Sequence, residues 1–322
     1  MKNFALIGAA GFIAPRHMKA IKDTCNNLVA SFDPYDGVGI MDSYFPDADY
    51  FVEFERFDRH LNKLRRNDIK IDFLSVCSPN YLHDSHIRYG LRTGADVICE
   101  KPIVLNPWNI DAIQQEENVS GQNVYTILQL RHHEAIKSLK KKITEDTSDK
   151  IYEIDLTYLT SRGKWYYTSW KGDLTKSGGI ATNIGVHFFD MLTWIFGELK
   201  SQTIHINTHD RASGIMHLER ANVRWFLSIN YDLIPEGERK EGKRTYRSIT
   251  VNGEEIEFSD GFTELHTISY DAILKGRGYR IGDTREAIQI VHDIRNSIPV
   301  GLKGDFHPMA KHPTVKHPFK NN

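Results

Sequence analysis

Cysteine is scarce in this 322-residue chain: Cys25, Cys77 and Cys99 are the only three, and no C-x-x-C pair occurs. That usage argues against a disulfide framework or a metal site, and the three read as small buried hydrophobes. An excess of charge is also missing. Lys and Arg number 41 against 42 Asp and Glu, a formal net charge of −1. No global basic field is there to gather nucleic acid or a membrane surface, so neither is expected as a partner. An anionic ligand must be held by local groups. No run approaches the roughly 18 apolar residues of a membrane span. The opening MKNFALIGAAGF has no small-residue cleavage site of the signal-peptide kind, and a cytoplasmic protein is expected. Internal repeats and low-complexity linkers are lacking, while the length allows two domains, each with its own core.

The first 130 residues alternate apolar strands with helices. FALIG (4–8), LVASFD (28–33), IDFLSVCSP (71–79), DVICEKP (96–102) and NVYTILQLR (123–131) read as strands. Helical stretches fall at about 16–22, 57–67 and 83–94, which predicts βαβ units around a parallel sheet buried on both faces. Between the first strand and helix lies Gly8-Ala9-Ala10-Gly11-Phe12-Ile13-Ala14, one glycine short of the G-x-G-x-x-G fingerprint. Gly8 permits a tight turn, Gly11 lets the backbone approach a pyrophosphate, and Ala14 is small enough to pack helix on strand. The helix N-terminus adds N–H groups and a partial positive charge. Phe12 and Ile13 complete the turn. Asp33, 22 residues beyond Gly11, can accept both ribose hydroxyls and would repel a 2′-phosphate. NAD is therefore expected rather than NADP. A structural turn beside a loop aspartate is the bland alternative.

Two further stretches sit at strand C-terminal ends, where open α/β sheets bind ligands. CSPNYLHDSH supplies Ser78, Asn80 and His83, and CEKP supplies Glu100 and Lys101. A lysine beside a cationic nicotinamide, partly desolvated, could exchange a proton near neutral pH. After residue 150 the pattern changes: IYEIDLTYLT (151–160), QTIHINTH (202–209), ANVRWFLSINY (221–231) and SITVNGEEIEF (248–258) predict a largely antiparallel sheet. Helices are expected around 181–196, 263–274 and 284–297. The fold class is thus α/β plus α+β: an N-terminal Rossmann domain over 1–130, and a substrate-binding and oligomerisation domain over 131–322 whose C-terminal segment can pack back on the first. SRGKWYYTSWKGD interleaves Arg162, Lys164 and Lys171 with Trp165, Tyr166, Tyr167 and Trp170, around Ser169. Cations suit phosphate and aromatics suit a sugar or base, or the same aromatics simply pack on the sheet. Asn183 and His187 stand four apart on one helix after Gly178-Gly179, a pairing suited to proton transfer. The tail repeats His-Pro at 307, 312 and 317 and reads as an extended surface segment, with His132-His133 as a strand-to-helix junction.

These residues together resemble the Gfo/Idh/MocA family of NAD(P)-dependent sugar oxidoreductases over essentially the whole chain. The carriers are the Gly8/Gly11/Ala14 turn, Glu100-Lys101-Pro102 and the Gly-Gly…Asn183…His187 helix. GAAGFIAPRHMKAIK, EKPIVLNPWNID, KSGGIATNIGVHFFDML and GFTELHTISYDAIL look like its WlbA/WbpB-type branch, the UDP-N-acetylglucosaminuronate 3-dehydrogenases. The resemblance implies a two-domain enzyme, a homo-oligomer and tetrameric, that uses NAD to oxidise C3 of a UDP-linked acetamido-uronic acid. The route leads to diacetamido-uronic acids of surface polysaccharide, with 2-oxoglutarate recycling NADH in some relatives. It implies Lys101 and His187 as catalytic groups, with roles that could be exchanged, because Asn183 stands where the family often has an ionisable Asp. It further implies substrate contacts from Lys101, Arg162, Lys164, Tyr166, Ser169, Trp170, Lys171, Asn183, His187, Arg244, Tyr246, Arg247 and His266. An enzyme for an unactivated sugar or inositol would need no diphosphate-binding loop, and an NAD sensor would need neither Lys101 nor His187.

Overall fold

The computed structural model describes residues 1–256 and 264–320, which form two compact units. The first comprises Met1–Gln129 with Thr263–Arg285, and the second Leu130–Phe262 with Glu286–Asn322. The segment returning to the first unit lies within the stretch that a division at residue 130 assigns to the second domain. The end of the strand expected at 248–258 and the start of the helix expected at 263 lie outside the described residues.

In the first unit, β1 (Asn3–Ile7), β2 (Asn27–Phe32), β3 (Asp49–Phe51), β4 (Phe73–Val76), β5 (Asp96–Cys99) and β6 (Val124–Thr126) form one sheet, ordered β3-β2-β1-β4-β5-β6. Every pairing is parallel. The connecting helices are α1 (Ala14–Asp23), α2 (Val38–Tyr44), α3 (Phe54–Arg66), α4 (His83–Arg92) and α5 (Pro107–Ser120). Central strands such as β4, Phe-Leu-Ser-Val, are buried throughout because helices cover both faces. Helix α1 buries Ala14, His17, Met18 and Ile21, the i, i+3, i+4, i+7 stripe of an amphipathic helix, with Pro15 in its first turn. Burying Met18 and Ile21 contributes about 1.5–3 kcal/mol each. The helix ends at Thr24, and Cys25 follows at φ 58°, exposed. Only Cys77 and Cys99 are the buried thiols expected; Cys25 serves a turn at the surface.

The chain leaves β1 and β4 toward opposite sides of the sheet, so a crevice opens beyond their carboxyl ends, Ile7 and Val76. This topology puts the glycine turn at the switch point.

The second unit begins with α6 (Glu134–Glu145) and carries β7 (Tyr152–Thr160), the short α7 (Trp165–Thr168) and α8 (Leu174–Ser177), and α9 (Val186–Phe196). Strands β8 (Leu199–Asn207), β9 (Arg211–Leu218) and β10 (Ala221–Ser228) follow, then α10 (Glu236–Lys240), β11 (Thr245–Val251) and β12 (Glu254–Glu255). The sheet runs β12-β11-β7-β10-β9-β8, antiparallel except for β7 with β10. Trp225 lies fully buried in β10 and meets Phe189 of α9 edge to face, 5.2 Å between centroids. The carboxylate of Asp190, one residue on, accepts two hydrogen bonds from Arg131, at 3.0 and 2.6 Å, with both side chains buried. The chain then adds α11 (Leu265–Leu274) to the first unit and α12 (Arg285–Asn296), all but its first residue, to the second.

The His-Pro tail runs over the surface from residue 311 on, as expected, but its first histidine departs from that course. His307 is buried, stacks on Phe226, and its Nε2 meets Thr157 Oγ1 at 3.0 Å. The fully buried Arg211, paired with Asp210, donates to the His312 carbonyl at 2.9 Å. The first of the three histidines thus belongs to the sheet's packing. Among the described residues no helix is long and apolar enough to cross a membrane.

Candidate active site

Gly8 adopts φ +92°, and its N–H donates to Phe32 O at 2.8 Å. A Cβ there would lie 2.6 Å from Cys77 C and Ser78 N, so glycine serves the approach of this turn to the end of β4 as well as the turn itself. Gly11 closes the turn by donating to Gly8 O at 3.0 Å, and no side chain caps the start of α1. Gly11, Phe12, Pro15, Asp36, Gly37 and Val38 help line a groove of about 660 Å³ beside this helix start. Phe12 is 86% exposed, an aromatic face with no packing role in this unit. Ile13, by contrast, packs against the core cluster around Phe4 and Met18.

Asp33 follows β2 and is nearly buried. Its Oδ2 accepts the Ala10 N–H and its Oδ1 the Tyr35 N–H, both at 3.0 Å. The carboxylate therefore ties the glycine turn to the next loop, and each oxygen keeps a further lone pair for a ribose hydroxyl. The Tyr50 hydroxyl donates to Tyr35 O at 2.6 Å and accepts the Gly37 N–H at 3.2 Å, steadying that loop.

Beyond β4 and β5 the expected residues divide. Ser78 Oγ meets His86 Nδ1 at 2.8 Å, and Asn80 is buried in the turn that follows. His83 is wedged between two carbonyls, Pro102 O at 2.7 Å and Ser78 O at 2.8 Å, so it joins the two loops and both ring nitrogens are engaged. Burial lowers its pKa against the pull of those carbonyls. Glu100 is buried as well, its carboxylate held by His17, His266 and the Lys101 N–H. Lys101 is half-buried and precedes a cis peptide bond to Pro102. His266, expected among substrate contacts, is 1% exposed and spends Nε2 on Glu100.

In the second unit Asn183 lies in a π-helical turn, Ala181–Gly185, and His187 is the second residue of α9. Such turns are rare and recur at functional sites. Gly178, at φ +80°, admits the Thr182 side chain where its own Cβ would stand 2.6 Å away. Asn183 Nδ2 reaches the Tyr166 hydroxyl at 3.4 Å, and Tyr166 is 2% exposed. Arg162 and Arg244 flank Ser161: Arg244 donates to Ser161 Oγ at 3.2 Å, while the Arg162 Nε is buried with no partner among the described residues. Lys171 lies over Trp165 and Trp170, and its pKa is lowered by burial first and by the Arg162 charge second. Two cations on one loop suit an anion. Ser169 caps this turn by accepting the Lys171 N–H, and Lys164 is exposed. Arg247 covers the Tyr158 ring, whereas Tyr246 packs with Leu159, Phe226, Ile234 and Ala310.

Sequence reasoning passed over His17, Tyr270, Arg131 and Asp190. The available signal was a polar residue inside an otherwise apolar helical stripe, as His17 is between Ala14 and Ile21.

A doubly wound sheet with a phosphate-type turn at its switch point, joined to a sheet domain bearing a cationic loop, defines a two-domain dinucleotide-dependent oxidoreductase. Residues 2–127 match the oxidoreductase family, NAD-binding Rossmann fold, and residues 140–296 match its C-terminal alpha/beta domain; the chain belongs to the Gfo/Idh/MocA oxidoreductase family. It is 47% identical to the WlbA (WbpB) dehydrogenase from Thermus thermophilus, solved with NAD and alpha-ketoglutarate, over 96% of this chain and 99% of that one, with a TM-score of 0.92. The same dehydrogenase solved with NAD and UDP-GlcNAcA gives 47% identity, the same coverage and a TM-score of 0.91. The putative oxidoreductase YteT of Bacillus subtilis is 25% identical over 48% of this chain and 36% of its own length, so the chain spans little over a third of that curated relative.

Proposed function

We propose that this chain uses NAD to oxidise the C3 hydroxyl of UDP-N-acetyl-D-glucosaminuronic acid to the 3-keto sugar. The observation that carries the reading is a single loop carrying Arg162 and Lys171 together with Trp165, Tyr166 and Trp170, with Lys171 over both tryptophan rings, in a chain of nearly zero net charge. A UDP-uronate needs donors for a diphosphate and a carboxylate and flat faces for a sugar and a base, and this loop offers both. A dehydrogenase 47% identical binds UDP-GlcNAcA, in line with this reading.

The groove residues fit NAD: Gly8 and Gly11 leave room for the pyrophosphate, the start of α1 faces it, and Asp33 has lone pairs for the ribose. When bound, NAD supplies the hydride acceptor. His187 takes the C3 hydroxyl proton, and Lys101 hydrogen-bonds the carbonyl oxygen as it forms. Asn183 cannot ionise; it orients the hydroxyl or the cofactor amide. Ser78, Asn80 and Phe12 support the cofactor, Ile13 and His83 by holding the turn and the loops. Arg162, Lys164, Ser169, Trp170, Arg244 and Arg247 serve the nucleotide and carboxylate, and 2-oxoglutarate recycles NADH in place. The assembly is a tetramer and the compartment the cytoplasm. The product's 3-keto group is then ready for an amino-group transfer.

Alanine at Lys101 or His187 should lower kcat by about 10²–10⁴-fold, the usual share of a general acid or base. Turnover that survives either change removes that residue from the mechanism. Alanine at Arg162 and Lys164 together should raise KM for the UDP-uronate; an unchanged KM turns the reading toward an unactivated sugar.

A further inference from the structure

The first unit contains a buried chain of polar side chains that the chemistry above leaves unused. Glu100 Oε1 lies 3.0 Å from His17 Nε2 and 2.8 Å from His266 Nε2, and its Oε2 accepts the Lys101 N–H at 3.1 Å. His17 Nδ1 continues to the Tyr270 hydroxyl at 2.7 Å, and that hydroxyl to Ser75 Oγ at 2.7 Å. All five side chains are buried.

The protons in this chain have one consistent order. Burial pushes the Glu100 carboxyl up, but the two histidine hydrogen bonds and charges pull it further down, so it stays a carboxylate. Burial lowers His17 against the pull of Glu100, and it keeps the Tyr270 hydroxyl protonated. Ser75 then donates to Tyr270, Tyr270 to His17 Nδ1, and His17 Nε2 to Glu100. His266 Nε2 and the Lys101 amide supply the remaining donors. Three donors converge on one carboxylate, an arrangement that suits an ionised acid, which needs no acceptor of its own.

His17 belongs to α1, the helix that starts at the dinucleotide groove, and Glu100 is bonded to the backbone of Lys101. We propose that Glu100, clamped by His17 and His266, is a positioning residue that fixes the Lys101 backbone relative to the helix at the cofactor groove. The inference rests on the reading of Lys101 as a group that touches substrate. The same three side chains could in principle ligate a metal ion, since their ligand atoms all lie within 4.8 Å of one another. The hydrogen-bond spacing and the use of Oε2 by Lys101 favour the clamp.

Glu100→Gln tests it. An amide offers one oxygen and one NH₂ to three donors, so either a donor meets a donor or the histidines must change tautomer, and the clamp is disturbed. In Glu100→Gln, kcat should fall by about tenfold or more, while the Kd for NAD, measured calorimetrically, stays within about threefold. Lys101 should be reductively methylated faster, by peptide mass spectrometry, with the other lysines unchanged. His266→Leu removes one donor and should behave alike. His266→Gln returns an N–H and should recover most of the wild-type kcat. Tyr270→Phe, a gentler change, should lower kcat less while the fold is kept. Unchanged kcat and Lys101 labelling in Glu100→Gln overturn the proposal, as does a fall in Tm with Lys101 labelling unmoved. One zinc per chain that is lost in His266→Gln also overturns it. A wild-type protein inactive on the UDP-uronate rejects the functional reading alone, because the labelling experiment still reads the clamp.

Discussion

Replacing Gly8 by alanine tests the geometry of the cofactor turn without touching a charged group. At φ +92° an L-residue is disfavoured by about 1–2 kcal/mol. The new Cβ would stand 2.6 Å from Cys77 C and Ser78 N and 2.7 Å from Cys77 O, against about 3.5–4.0 Å for a relaxed carbon contact. All three atoms are backbone, so no rotamer change relieves the clash. The turn must move by nearly an ångström, which strains the bonds from Gly8 N to Phe32 O and from Cys77 N to Ile7 O, both 2.8 Å. Overpacking of this kind costs about 1–3 kcal/mol, so the total is about 2–5 kcal/mol, a large part of a typical 5–15 kcal/mol stability. Urea unfolding should show that loss, with NAD affinity falling in parallel. Gly11→Ala is the control: its backbone is ordinary and its nearest contact is 3.0 Å, yet it lines the groove. It should lower NAD affinity with about 1 kcal/mol or less of stability change. A Gly8→Ala protein as stable as wild type refutes the argument.

Other changes probe the two units separately. Asp190→Asn leaves the buried Arg131 guanidinium without its carboxylate and should cost about 3–5 kcal/mol by urea unfolding; a loss below 1 kcal/mol, roughly, contradicts the buried pair. Asp33→Ser should narrow the preference for NAD over NADP in kcat/KM. It should also destabilise the first unit, because the Ala10 and Tyr35 N–H groups lose an ionised acceptor worth about 1.5–3 kcal/mol each. Burial pulls His86, His132 and His307 down to about 4, whereas an unfolded histidine titrates near 6.5. The unfolded chain therefore binds protons first as pH falls, so stability is full above about 6.5 and is lost between about 6.5 and 4, by up to about 1.4 kcal/mol per pH unit per group. A urea midpoint flat across that window counts against this burial, and His307→Gln should reduce the slope.

The sequence made the first unit readable because its sheet is parallel. Strands buried on both faces are continuous apolar runs, and the helices between them have a different period. Short edge pieces such as β3 and α2 carried too few residues to show a period. In the second unit β9 was missed: Arg211-Ala-Ser-Gly reads as a turn, and only the bond of Arg211 to Asp210 and the tail lets a cation begin a buried strand. The burial of His307, alone among the three tail histidines, was not legible for a similar reason, since what buries it is Phe226 and Thr157, far away in sequence. Gly8, Gly11 and Asp33 were legible as a motif, but the brace from Asp33 to Ala10 and Tyr35 was not. Glu100 was legible as part of a Glu-Lys-Pro stretch; its partners lie at 17 and 266, and only the fold joins them.

The most direct test of the central claim is product formation by the purified protein. It should be incubated with NAD and UDP-N-acetylglucosaminuronic acid, with UDP-N-acetylglucosamine as control, with and without 2-oxoglutarate, following NADH and keto-sugar together. The expected result is keto-sugar from the uronate and little from the control, with 2-oxoglutarate raising the yield if NADH is recycled in place. No keto-sugar under either condition, from protein shown to bind NAD, contradicts the account.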